Sequence, residues 1–251
     1  MTIIMEPTVL ESDAITVNAM RAIASVTPVS FSNLTAKEIE TRYTVEDIPM
    51  ILASEPGVWA YSESGNGTGY SYVSIRGFDQ SRIGVMIDGV PLNDNESHQV
   101  YWVDHADLLA DASDVQIQRG IGNSLYGSSA FGGSINVNTQ IASDTREIKV
   151  SYGSGDWNTS KTSLRYRSGK DLGEDVSLTI RTSQVESDGY RENHNSKQKG
   201  MFFGLEHRGE KFTNKFRAHL GYENTKLLWD GIHINDINDR MKRRAGYQAF
   251  T

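Results

Sequence analysis

The chain has 251 residues, 37% hydrophobic and 23% charged, with no cysteine and a formal net charge of -7. Its mean hydropathy of -0.47 and the lack of any run of about 18 apolar residues exclude a transmembrane helix, but not a membrane β-barrel, whose strands are apolar only at every second position. The cysteine count excludes disulfides, thiolate catalysis and cysteine metal sites, and the acidic balance argues against nucleic acid as the main partner.

The charge is unevenly spread. Residues 1–140 carry 6 basic and 17 acidic side chains, a net of -11, whereas residues 141–251 carry 19 and 15, a net of +4. The last proline is Pro91, and the texture changes near Thr139–Asp144, where we expect a domain boundary. In chain order, Met1–Met5 has no basic n-region and too short an apolar stretch for a secretory signal. Either the protein is cytosolic or its true start is missing. Asp13–Arg21 is a short β-prone run in polar surroundings, which composition alone would read as a mobile leader. Residues 29–140 read as a compact α/β unit. Thr44–Glu55 is expected to be a short helix, with Thr44 and Asp47 as caps, Pro49 in its first turn and Pro56-Gly57 ending it. Strands are expected at Val58–Tyr61, Tyr72–Arg76, Ile83–Ile87, Ser113–Gln118 and Ser134–Thr139. Asp88-Gly89 signals a tight turn, and the five glycines within Gly120–Gly133 imply sharp turns or close backbone approach.

The second half alternates. Ile148, Val150 and Tyr152 oppose Glu147, Lys149 and Ser151; Leu164 and Tyr166 oppose Lys161, Arg165 and Arg167. Val176, Leu178 and Ile180 oppose Ser177, Thr179 and Arg181; Phe203 and Leu205 oppose Glu206 and Arg208. Phe216, Ala218, Leu220 and Tyr222 oppose Lys215, Arg217 and His219. Five consecutive strands with one wet face follow. A soluble β-sandwich in a carbohydrate-binding or carbohydrate-active protein could show this pattern. The charge on the polar face, with Tyr152, Trp157, Tyr166, Tyr190 and Tyr222 near strand ends, suits a barrel wall with aromatic girdles better.

Two segments are more specific than periodicity: S-I-R-G-F-D-Q-S-R-I-G-V-M-I-D-G-V-P-L-N-D, Ser74–Asp94, and V-Q-I-Q-R-G-I-G-N-S-L-Y-G-S-S-A-F-G-G-S-I-N-V-N-T, Val115–Thr139. With D-I-P-M-I-L-A-S-E-P-G-V, Asp47–Val58, they resemble the plug domain of TonB-dependent outer-membrane receptors. The resemblance covers about residues 14–140 and continues through Ser187–Asn193 and Trp229–Gly231. It implies an α+β plug domain followed by the first antiparallel strands of a transmembrane β-barrel of about 22 strands, truncated here. The divisions would be 1–12, the end of a preceding domain or a leader; 13–28, TonB box and linker; 29–140, plug; and 141–251, about five barrel strands. Thr2–Pro7 resembles the last strand of a small domain preceding some receptors, especially Bacteroidetes-type ones.

The resemblance also implies roles. Asp13, Ala14, Ile15, Thr16, Val17, Asn18 and Ala19 fall where the family carries its TonB box. Arg76, Gly77, Arg82, Asp88, Gly89, Arg119, Gly120, Tyr126, Gly127, Gly132 and Gly133 belong to the plug motif, with Arg76 and Arg119 expected to pair with barrel-wall carboxylates. Ile121 stands where the family usually has proline. Asn93, Asp94, Asn95 and His98 lie in a loop that the family uses for ligand contact, although such a string is most often a solvated loop. The expected function is energy-coupled uptake of a scarce ligand, an iron complex such as a ferric siderophore or ferric citrate, by a receptor in the Gram-negative outer membrane. Its partners would be periplasmic TonB, outer-membrane lipid and the small-molecule ligand. No catalysis, resident cofactor or metal is expected: His98, Asp104, His105 and Asp107 fit no strong zinc spacing, no G-x-x-x-x-G-K-[ST] is present, and no triad is evident. If the N-terminal unit lies below, Gly153–Asn158, Asp188–Ser196 and the stretch after Thr225 face outward. The basic wall residues Lys149, Lys161, Arg165, Arg167, Arg181, Lys215 and Arg217 then face an acidic plug.

Overall fold

The computed structural model describes residues 22–23, 25–43, 45–63, 65, 67–120, 130–226, 228 and 231–245. The N-terminal unit holds β1 (Ser30–Thr35), α1 (Ala36–Arg42), α2 (Ile48–Leu52), β2 (Val58–Ser62), β3 (Ser71–Ile75), β4 (Ile83–Ile87), β5 (Val90–Pro91), β6 (Ala112–Arg119) and β7 (Gly133–Thr139). Five of these strands form a mixed sheet in the order β1-β6-β7-β4-β5, and β2 pairs with β3 in a separate ribbon. β4 and β7 run parallel, with Val85 opposite Ile135, while β6 is antiparallel to both β1 and β7. β4 is apolar along its length, whereas β6 and β7, also buried on both faces, alternate core residues with the buried polar side chains Gln116, Gln118, Ser134 and Asn136. Leu34, Val85, Val115, Ile117, Ile135 and Val137 join Leu52 from α2 and Ile75 from β3 in one buried core.

α1 begins on a complete capping box, in which the Glu38 backbone N–H donates to Thr35 Oγ1 at 3.3 Å and the Thr35 N–H donates to Glu38 at 2.8 Å. Neither β1 nor α1 was among the expected elements. α2 is shorter than expected, and Pro49 sits in its first turn. Asp47 occupies the N-cap position, but its carboxylate makes no cap hydrogen bond; it accepts from Ser71 Oγ at 2.6 Å instead. Thr44 lies outside the described residues. Asp88 and Gly89 turn β4 into β5 with φ of +50° and +84°, the doubly positive turn expected of Asp-Gly.

After Thr139 the chain enters a second sheet: β8 (Glu147–Ser154), β9 (Ser160–Arg167), β10 (Val176–Ser187), β11 (Ser196–Arg208) and β12 (Thr213–Thr225), a fully antiparallel meander. A short α3 (Arg240–Arg244) follows. The register sorts side chains into rows. Val150, Leu164, Thr182, Met201 and Leu220 lie side by side on one face, and Lys149, Arg165, Arg181, Phe202 and His219 on the other. The first face is open, with Ile148 65%, Val150 71% and Leu220 64% exposed. The second lies against the N-terminal unit. This is the orientation expected of a barrel wall, and no second sheet covers the apolar face among the described residues, so the sandwich alternative does not form. Tyr152 and Tyr222 are exposed near the strand ends. Trp157 and Tyr190 depart from the girdle expectation, packing edge-on at 5.3 Å within the connecting loops under the Arg244 guanidinium.

Candidate functional site

The inward face of the long sheet meets the N-terminal unit through charge. A 3-10 turn at Leu108–Asp111 sends Leu108 and Leu109 into the core, while Asp107 and Asp111 face the sheet. Arg181 in the middle of β10 uses all five of its N–H donors here. Nε donates to Asp111 Oδ1 at 2.7 Å and Nη2 to Asp111 Oδ2 at 2.5 Å. Nη1 donates to Asp107 Oδ2 and, at 2.7 Å, to Ser183 Oγ; Nη2 also reaches the Asp107 carbonyl at 3.0 Å. The side chains are 3% exposed for Arg181 and 1% for each aspartate. Guanidinium buried this far requires such partners, because desolvation of an unpaired ion costs several kcal/mol.

Lys161 adds a second cation to Asp107 at 2.6 Å and stands 3.9 Å from the centre of the Tyr43 ring. Burial alone would raise the Asp107 carboxyl; Arg181 and Lys161 outweigh it and hold the group below its ordinary range. Burial, then the Asp107 charge, pushes the Tyr43 hydroxyl well up. Further contacts repeat the polarity. Lys149 pairs with Glu40 of α1, Arg165 donates to the Ala110 carbonyl at 2.6 Å, and Arg217 Nε lies 3.0 Å from Asp88. Asp88 also accepts from the Thr139 N–H at 2.9 Å and from the Thr139 hydroxyl at 2.6 Å, so the β4–β5 turn is tied both to the end of β7 and to β12.

Close approach depends on small residues. Ser151, Ser163, Ser183, Gly200 and Gly221 form one inward row across all five strands. A Cβ at Gly200 would come within 2.9 Å of Ser183 Oγ and 3.4 Å of the Ala106 carbonyl. The row thus makes room for segment 104–107. Glycine and serine at alternate positions of neighbouring strands were the available sequence signal, and sequence reasoning missed it, along with Asp111.

The described motif residues converge on one place. Arg76 and Gly77 turn with φ of +52° and +83°, and the Arg76 N–H donates to the Gly57 carbonyl at 2.8 Å. Arg119 donates from Nε to the Pro56 carbonyl and from Nη2 to Ser32 Oγ, each at 2.5 Å. The Gly120 N–H donates to Gly132 and the Gly132 N–H to Arg82. The two arginine-glycine turns and the Gly132-Gly133 pair therefore form one knot that ties β3, β4, β6 and β7 together. Arg119 thus makes these bonds within its own unit, and Arg76 is exposed. Across the described contact, the wall contributes the cations and the N-terminal unit the carboxylates. The Arg82 guanidinium lies 5.3 Å from the Phe131 ring centre. Tyr126 and Gly127 lie outside the described residues, as do Asp13–Ala19 and Thr2–Pro7.

In loop 93–98, Asn93 is a structural residue. Its Oδ1 accepts from the Val85 N–H at 2.8 Å, and its Nδ2 donates to the Ile83 and His98 carbonyls at 2.9 Å. Asp94 caps the turn, accepting from the N–H groups of Glu96 and Ser97. Asn95 and His98 remain exposed. His98, Asp104, His105 and Asp107 are not gathered into a metal site; no group of three or more such side chains suited to a metal occurs among the described residues. A gap of about 790 Å3 between α1 and β8–β9 is lined by Glu40, Tyr43, Lys149, Lys161 and Arg165, and one of about 520 Å3 lies between the β4–β5 turn and β12. Both open at an edge of the long sheet.

Comparison with known proteins agrees with this geometry. Residues 24–134 match the TonB-dependent Receptor Plug Domain. The vitamin B12 transporter BtuB of Vibrio vulnificus (strain YJ016) is 30% identical over 202 residues, covering 77% of this chain and 32% of the relative. The ferric enterobactin receptor PirA of Pseudomonas aeruginosa is 28% identical over 123 residues, covering 45% of this chain and 17% of the relative. Among solved structures, the ferric yersiniabactin uptake receptor FyuA from Yersinia pestis superposes with a TM-score of 0.64 at 18% identity, over 78% of this chain and 32% of that one. The copper transporter OprC gives 0.65 at 15% identity, over 81% and 32%. The chain spans between 17% and 40% of the length of the relatives it matches.

Proposed function

We propose, from the premise that this chain carries a TonB-dependent receptor plug domain followed by antiparallel strands of the receptor barrel, that it is the plug and leading wall of an energy-coupled outer-membrane transporter. The observation that carries this reading is the two-sided wall: exposed aliphatic rows suited to lipid on one face, and on the other Arg181, Lys161 and Arg217 seated on plug carboxylates. A plug held by ions rather than by apolar packing sits in a polar lumen and can be shifted without exposing a core. The divisions would be a leader or preceding domain to residue 12, TonB box and linker over 13–28, plug over 29–140 and wall beyond.

Asp13–Ala19 would pair as a strand with TonB, and Asn95 and His98, two of the exposed residues of their loop, would be ligand contacts. Loops 153–158 and 188–196 would face outward. The ligand would be a scarce metal chelate, a ferric siderophore or ferric citrate. A corrinoid is the second candidate, because a 30% identical relative is a vitamin B12 transporter. The role is binding and gated passage rather than chemistry.

The test is uptake of radiolabelled ferric complexes and cobalamin by cells whose only such receptor is the full-length protein, with and without TonB. Uptake should require TonB, and Val17→Pro should abolish it while ligand binding persists, because proline removes a backbone donor needed for strand pairing. TonB-independent uptake of every ligand would overturn the reading. Normal transport by the proline variant would reduce Asp13–Ala19 to a leader.

A further inference from the structure

Gln116 lies in the middle of β6, between β1 and β7, and is 0% exposed. Side chains stand perpendicular to a sheet, so its carboxamide leaves the ladder and meets whatever crosses that face. Here it meets Ala22, itself 4% exposed. Oε1 accepts from the Ala22 N–H at 2.7 Å and Nε2 donates to the Ala22 carbonyl at 3.0 Å. One side-chain amide thereby holds both polar groups of one residue, as a paired strand would. The amide is itself fixed: Nε2 also donates to Asn33 Oδ1 at 2.8 Å, and Oε1 accepts from Gln118 Nε2 at 2.9 Å. Just past Ala22 the chain turns, the Ile23 N–H donating to Thr27 Oγ1 and the Thr27 N–H to the Ile23 carbonyl, and enters β1 at Ser30.

We propose that Gln116 is the clasp that fastens the N-terminal arm to the plug, a positioning residue through which tension on the arm first reaches the central sheet. The clasp itself follows from the contacts above; what pulls on it rests on the reading of Asp13–Ala19 as the TonB-pairing strand. Ala22 lies three residues beyond that strand, so tension there loads two parallel hydrogen bonds anchored on β6. Once they open, the next bonds in line are those of β1 to β6, beginning at Ser30 opposite Arg119. β1 is the sheet's edge strand and can peel away without disturbing β7.

The experiment uses the full-length receptor in a cysteine-free background with Met20→Cys, and measures thiol labelling in outer membranes without ligand. Gln116→Leu, close in volume but without the amide, should raise the labelling rate about tenfold or more. Ala22→Pro, which removes the N–H from the other side, should do the same, and the double variant should add nothing further. Asn33→Ala spares both bonds to Ala22 and should label like the parent. Gln116→Glu should label fast at about pH 8 and slowly at about pH 5, because the protonated carboxyl can again donate to the Ala22 carbonyl. That pH dependence is not expected of simple core damage. Unchanged labelling in Gln116→Leu with ligand binding retained would overturn the clasp, as would Asn33→Ala labelling as fast as Gln116→Leu. If Gln116→Leu fails to fold, Ala22→Pro and the pH response of Gln116→Glu decide. Crosslinking of Thr16→Cys to TonB is scored separately: its absence counts against the TonB-box reading and leaves the labelling result to judge the clasp.

Discussion

Arg181 is the residue whose loss should cost the most. Removing one partner of a buried ionic cluster strands the others, which typically costs about 3–5 kcal/mol. An exposed pair such as Arg146–Asp171, at 3.3 Å, contributes about 0–1 kcal/mol. In the full-length receptor, Arg181→Met should therefore lower unfolding stability by about 3–5 kcal/mol and Arg146→Met by a small fraction of that; equal losses would show that the buried cluster holds nothing. The period-two pattern alone places Arg181 on the polar face, because its neighbours Ile180 and Thr182 must point the other way. Its partners could not be read, since Asp107 and Asp111 lie 74 and 70 residues upstream and only the tertiary fold brings them across. Asp47 supports a second test. Burial moves its carboxyl from an ordinary 3.8 up to about 8, against the Ser71 hydrogen bond and with the nearby Glu46 and Glu223 charges adding to the rise. A folded-state value above the unfolded one means that stability is fully present below about pH 4 and is lost as pH rises toward about 8, at up to about 1.4 kcal/mol per pH unit. Asp47→Asn keeps an acceptor for Ser71 and should flatten that slope. An unchanged slope in denaturant midpoints across this window would assign the pH dependence to other groups.

At the scale of elements, the knot of turns depends on glycines that leave no room for a side chain. A Cβ on Gly133 would lie 2.5 Å from the Gln118 carbonyl, inside the β6–β7 ladder. Neither partner can retreat, because both are backbone of central strands. Gly133→Ala should thus cost more than the roughly 1 kcal/mol typical of point changes and weaken hydrogen-exchange protection along β6 and β7 first; a variant as stable and protected as the parent would show that the ladder can shift. How much of each element could be read from sequence follows the same logic of burial. Strands with one wet face, β8 to β12, reveal themselves through alternation. β4, buried on both faces, is legible as a short apolar run that ends at Asp88-Gly89, and β7 as an Ile135–Val137 alternation that follows Gly132-Gly133. β1 was not, because Phe31 and Leu34 fall on opposite faces of an edge strand and leave no period. α1 should have been legible: Thr35–Glu38 reads T-A-K-E, and its capping box forms as that pattern predicts.

For the whole molecule, the decisive question is what covers the outer face of the long sheet. Ile148, Val150, Leu164, Phe216 and Leu220 are exposed there together, and neither β8 nor β12 has a strand partner on its far side among the described residues. Such a surface in water would favour association; in a bilayer it is the expected lipid-facing band. The two cases respond oppositely to charge. Leu220 sits near the middle of β12, opposite Met201, whereas Tyr222 lies nearer the strand end and the level of the loops. A lysine at the lipid midplane of a barrel costs about 2–4 kcal/mol, falling to about 0–1 near the interfaces. Leu220→Lys in the full-length receptor, refolded into vesicles, should therefore lose about 2–4 kcal/mol and Tyr222→Lys much less. If the face were instead solvated, Leu220→Lys would be neutral or would improve solubility, and a gain in stability would remove the face from the membrane. The internal face carries the complementary requirement. Its cations meet the plug's carboxylates only when the two units are docked, because Arg181 lies on β10 and Asp107 and Asp111 on the plug. Arg181→Met should therefore slow refolding of the full-length receptor as well as weaken the product, and refolding at the parent's rate would show that this contact forms only after the slow step.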